Sequence, residues 1–123
     1  MNSLDDHLGK ARHNLAFLGS LDLSGDDFAD WGIVVLFYAA LHVVRAALHA
    51  RETDHGTSHP QTQRGVEEVF PENAARSYER LYSRSRLVRY DELRASLADF
   101  QRLRDSDFST VVRAASYFLP QRI

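Results

Sequence analysis

The sequence predicts an all-α protein, an up-and-down bundle of five to six helices forming one domain over residues 1–123. Three observations carry that prediction. Apolar residues recur every three to four positions along most of the chain, the period of a helix with one buried face. The stretch from Trp31 to Ala50 is apolar around most of its circumference, as suits a helix enclosed by others. No pair of segments reads as paired strands.

Ser3 can cap a first helix, with Asp6 three residues on and Leu4, Leu8, Ala11, Leu15 and Leu18 on one face. Gly19 and Ser20 end it, and Ser24 and Gly25 mark a connecting loop. A second helix is expected from Asp26 or Asp27 to Arg51 or Glu52, with Asp26, Asp27 and Asp30 in its first turn, where carboxylates favour the helix dipole. Residues 53–61 read as a loop, followed by a short helix from Thr62 to Phe70 that Pro71 breaks. Pro71 is also acceptable in the first turn of the next helix, which runs to about Ser85 with Ala74, Tyr78, Leu81 and Tyr82 inward. A break is expected over Leu87–Asp91, then a helix from Asp91 to Arg104. Asp105 or Ser106 caps a last helix to Leu119, stopped by Pro120.

A chain of 123 residues has room for one core. It has no cysteine, which excludes disulfides and thiolate metal sites and suits a cytoplasmic protein held by packing. No basic segment followed by an apolar run opens the chain, so no signal peptide is read. His42, Arg45 and His49 interrupt the long apolar stretch and argue against a membrane span. The net charge of −2 gives no global nucleic-acid signal. Its distribution is uneven: residues 1–30 are rich in Asp, and residues 76–104 are rich in Arg. This is either a local basic patch or a set of solvated helix faces.

Three constellations can carry chemistry. Tyr38, His42, Arg45 and His49 fall at i, i+4, i+7 and i+11, one polar stripe on an otherwise apolar helix. Such groups need partners when buried, so the stripe lines either a structural polar layer or a cleft where Arg binds phosphate and His does acid–base work. His55, Ser58, His59 and Arg64 sit in and just after the loop. They line the mouth of that cleft or face solvent, and a metal site with His42 or His49 is a further alternative. Finally, Arg76, Arg80 and Arg84 form a ridge at i, i+4 and i+8, with Arg86, Arg89 and Tyr90 at its end. Guanidinium beside a tyrosine ring suits RNA, while pairing of Arg with Glu79 or Asp91 and inward packing of Tyr90 is the structural alternative. Gly-rich phosphate loops and the common hydrolase motifs are missing.

The segment Trp31…Val34-Val35-Leu36-Phe37-Tyr38-Ala39-Ala40-Leu41-His42 resembles the aromatic-Tyr-Ala-Ala-x-His helix of bacterial HEPN domains. Ser58-His59, Arg64 and the run from Tyr78 to Asp91 follow in matching order, so the resemblance covers roughly residues 28–119. It implies a HEPN-like helical bundle that forms a homodimer, with no cofactor and no bound metal. It also implies a place in a toxin–antitoxin or defence system, RNA or nucleotide binding, and a nucleotidyltransferase-type protein partner. Active members are metal-independent ribonucleases with an Arg followed, after four to six residues, by a His. No Arg here has that spacing to a His. The family's catalytic motif therefore transfers to no position here, and an equivalent site would have to assemble in space from His42 or His59 with Arg45, Arg64 or Arg86. On that expectation the candidates are His42, His59 and Arg45 for catalysis, and Tyr38, His49, Arg64, Arg86, Arg89 and Tyr90 for substrate contacts. The alternative is a catalytically silent module that dimerises and binds a protein or nucleotide, and a third is a His-ligated metal enzyme.

Overall fold

The structure, a computed structural model, describes residues 4–21, 25–26, 28–90 and 94–119. All regular structure among them is helical: α1 Leu4–Ser20, α2 Ala29–Ala50, α3 His59–Val69, α4 Glu72–Tyr90, α5 Leu97–Arg102 and α6 Ser109–Ser116. α5 and α6 join through a π-helical turn, Leu103–Phe108, into one continuous helix, so five rods build the bundle.

α2 is the axis and touches every other helix. Ile33, Leu36, Val43, Val44 and Leu48 of this helix are fully enclosed by those neighbours. The helix is long and apolar enough to cross a bilayer on length and composition, but that surface faces the interior of the bundle. Leu8, Ala11 and Leu18 of α1, Val66 of α3, Tyr78 and Leu81 of α4, and Phe100, Val111 and Ala115 of the last rod complete the core. At 25 cal/mol per Å² of apolar surface, such burial is the main term favouring the fold.

Several boundaries differ from the sequence reading, each for a local reason. α2 starts at Ala29; the Asp26 carboxylate accepts from Leu97 N at 2.6 Å and ties the α1–α2 connection to α5. Asp30 does lie in the first turn, while Ser3, Asp27 and Pro120 fall outside the described residues. α3 begins three residues earlier than expected because Ser58 and Gln61 form a reciprocal capping box, with Pro60 in the first turn. α4 runs on to Tyr90, so the expected break at Leu87 is absent. Ser96 and Asp99 form a second capping box and start α5 at Leu97. Asp105 and Ser106 cap nothing: the chain passes them in the π turn.

α3 lies close on α2. A Cβ on Gly65 would meet Leu48 Cδ1 at 2.8 Å, so glycine permits the approach that seats the α2–α3 loop.

Candidate functional site

The polar stripe of α2 divides along its length. Tyr38 is partly exposed, and its hydroxyl accepts from Arg89 of α4 at 2.8 Å. One turn on, His42 is half-buried, with Nδ1 3.2 Å from Nδ1 of His7 on α1. Arg45 is also half-buried, and its Nε donates to Thr62 Oγ1 at 3.2 Å. His49 is exposed and joins none of them through a hydrogen bond, ion pair or ring contact.

His7, which the sequence reading did not single out, is the centre of the site. It is fully buried and lies between two other imidazoles, with Nε2 3.2 Å from Nε2 of His55. His55 Nδ1 is 2.5 Å from the Gly56 carbonyl, which can only accept, so this nitrogen carries a hydrogen. Gly56 has φ +65°, and a Cβ there would run into the Gln61 side chain; both conditions favour glycine. Thr62, fully buried, donates to the carbonyl of His55 at 2.9 Å while accepting from Arg45. The loop holding His55 is thereby tied to Arg45, and His42 and Arg45, neighbours on α2, are bridged by a circuit through α1, the loop and α3.

His59 at the start of α3 lies flat on Tyr82, with centroids 3.3 Å apart and planes 8° from parallel. Tyr78 and Phe37 complete this aromatic nest. His59 Nδ1 and the Tyr78 hydroxyl are buried there with no hydrogen-bond partner among the described residues, a costly arrangement.

Burial dominates the electrostatics. It lowers the pKa of His7, His42 and His59 to about 4 each, and nearby positive charge adds to it. Arg45 contributes to all three shifts, Lys10 to those of His7 and His42, and Arg86 to that of His59. At neutral pH these three imidazoles are uncharged. Burial lowers the pKa of Arg45 and raises that of the Tyr78 phenol. Among the described residues no carboxylate pairs with Arg45, and no three His, Asp or Glu side chains converge to hold a metal ion. His42, His7 and His55 stand in series, with His7 using both ring nitrogens.

The outer ridge of α4 is different. Arg76 pairs with Glu72, Arg80 with Asp107 and Arg84 with Asp99. Beyond it, Arg86 and Arg89 lie over tyrosine rings: Arg86 over Tyr82 and Tyr90, Arg89 over Tyr38 and Tyr90, at 5.0–5.9 Å. Tyr90 is 67% exposed and does not pack inward. Arg64 is exposed and lines a separate depression with Asp54, Gly56, Gln61 and Glu68.

The fold thus gathers His42, Arg45 and His59 around one guanidinium, and Tyr38, Arg86, Arg89 and Tyr90 along an adjoining edge. It leaves His49 and Arg64 apart. His7, His55 in its bonded role, Thr62, Tyr78 and Tyr82 are the additions. His7 was legible in one respect: with Leu4, Leu8 and Ala11 it occupies an i+3 position of the apolar face of α1. No protein-family model, curated protein or solved structure matches the chain.

Proposed function

We propose that the chain is a HEPN-like domain of a bacterial toxin–antitoxin or defence system that binds RNA and cleaves it without a metal. The observation that carries this reading is the placement of Arg45, unpaired by carboxylate among the described residues, beside neutral His42 and His59. Phosphodiester transfer needs a positive group on the phosphate and a base for the 2′-hydroxyl. Arg45 supplies the first. His42 supplies the second: its Nε2 has no partner among the described residues and is not buried away from solvent. In the reaction the 2′-oxygen gives its proton to His42 and attacks phosphorus. The bond to the 5′-oxygen breaks, and that oxygen takes a proton from water. The products carry a 2′,3′-cyclic phosphate and a 5′-hydroxyl. Tyr38, Arg86, Arg89 and Tyr90 offer stacking faces and phosphate contacts for the flanking nucleotides.

The test is cleavage of single-stranded RNA by purified protein in chelator, comparing wild type with His42→Ala and Arg45→Ala. Cleavage that leaves cyclic phosphate ends and is lost in both folded variants supports the reading; no cleavage by any of the three rejects it.

One observation favours the silent, dimer-forming alternative. Trp31 is 61% exposed on α2 and borders a shallow groove with Val34, Val88 and Arg89. A homodimer in solution that Trp31→Ala dissociates, together with no RNA cleavage, would support that module.

A further inference from the structure

The series His42–His7–His55 has a direction that its far end sets. Gly56 O accepts from His55 Nδ1 at 2.5 Å, which fixes the hydrogen on that nitrogen. With His55 uncharged, its Nε2 is then an acceptor, and His7 must donate from Nε2 across 3.2 Å. A neutral His7 has a single ring hydrogen, so its Nδ1 accepts, and His42 donates from Nδ1 across 3.2 Å. A neutral His42 then has a bare Nε2. One backbone carbonyl thus orders three tautomers and leaves a basic nitrogen at the other end.

We propose that these three rings form a directional proton relay in which a proton taken up at His42 Nε2 ends as positive charge on His55. Three transfers carry the proton. His42 Nε2 gains the incoming proton. The Nδ1 proton of His42 passes to His7 Nδ1, and the Nε2 proton of His7 passes to His55 Nε2. His42 and His7 finish neutral with their tautomers reversed, and His55 finishes as an imidazolium donating to Gly56 O and to His7.

The surroundings favour that destination. Lys10 and Arg45 oppose positive charge at the His42 end, and burial opposes it on His7. The His55 end is half-buried and adjoins Asp54, whose carboxylate accepts from Gly56 N at 2.9 Å. Thr62 holds the His55 carbonyl and so keeps the loop, and the last ring of the relay, in position. The role of the relay in RNA cleavage rests on the function proposed above. Its geometry does not, and His7 and His55 act as positioning residues that work through His42.

The test reads the rings directly. Two-bond ¹H–¹⁵N spectra of the imidazoles in full-length protein report each tautomer without any substrate. At pH 7 the expected pattern is hydrogen on Nδ1 of His55, Nε2 of His7 and Nδ1 of His42. As the pH is lowered with the fold intact, the first proton bound in the network should make His55 the cation while His42 and His7 switch tautomers. In His55→Phe, which replaces a ring that His42 does not touch, His42 should lose its Nδ1–H preference. A His42 that carries Nε2–H at pH 7, charges first, or keeps its tautomer in His55→Phe overturns the relay. Where wild type cleaves RNA, His55→Phe should slow it about ten- to a hundredfold without the full loss of His42→Ala. Ordered tautomers with no cleavage would uphold the relay and reject the nuclease reading; cleavage with disordered tautomers would do the reverse.

Discussion

The outer ridge of α4 and the surroundings of Arg45 differ in what meets their guanidinium charges. On the outer ridge each guanidinium ends on a carboxylate: Arg76 on Glu72, Arg80 on Asp107, Arg84 on Asp99. Around Arg45 the partners are a hydroxyl and neutral rings, and among the described residues no carboxylate answers the charge. A ridge whose charge is cancelled in place offers little to an anion. A half-buried guanidinium that keeps its charge in a site of reduced polarity offers more. Density of arginine in the sequence is therefore a poor guide to where positive charge stands without a carboxylate partner among the described residues.

The sharpest way to break this contrast is catalytic. His42→Ala should lower RNA cleavage by a factor on the order of 10²–10⁴, whereas Arg76→Ala and Arg84→Ala should leave it unchanged, measured as initial rates in chelator. If the ridge variants lose activity as well, the contrast has no functional meaning.

Next in size is the buried end of the ridge. Asp107 is 5% exposed and accepts from Arg80 Nε at 2.9 Å. Asp107→Ala should cost about 1–3 kcal/mol in urea unfolding, while cleavage by the folded fraction stays at the wild-type rate.

Acid separates the two regions further. His7, His42 and His59 have folded-state pKa values of about 4 against 6.5 when unfolded. Between those values the unfolded chain binds more protons, so stability is complete above about pH 6.5 and falls as the pH drops toward 4. On the ridge, the backbone amide of Ser96 leads the groups that hold the Asp99 carboxyl below its usual range, with Arg102 and Arg84 contributing. Its loss of stability therefore belongs to a lower window, below the ordinary carboxylate pKa. A melting temperature that stays flat from pH 7 to 5 would contradict the neutral-histidine assignment.

The smallest effect is expected at Arg84, whose contact with Asp99 is 3.7 Å long at the surface. Arg84→Ala should change unfolding free energy by less than about 0.5 kcal/mol.

The bundle was legible because its signals are local. The apolar circumference of α2 marked the central helix, and its interruptions at Tyr38, His42 and Arg45 marked one wall of the site. What the sequence concealed depends on distance along the chain. His7 meets His42 and His55 across 35 and 48 residues, and nothing around position 7 announces either. Two pairings of the ridge are concealed in the same way, Arg80 with Asp107 and Arg84 with Asp99, whereas Arg76 and Glu72 lie one helical turn apart. The capping boxes at Ser58 and Ser96 are present as spacing, but Ser58 falls in a segment whose composition reads as loop, and Ser96 lies inside the helix expected from Asp91 to Arg104.

The π turn at Leu103–Phe108 has a consequence for heredity. Such a turn holds one residue more than the α-helical turn it replaces. Deleting one codon there, that of exposed Ser106 for instance, would close the wide turn into a regular one, so that Phe100 before it and Val111 after it still reach the core. The same deletion inside α2 would swing every later side chain of that helix by about 100°. Length variation among descendants of this gene should therefore collect in the last rod of the bundle and spare its axis.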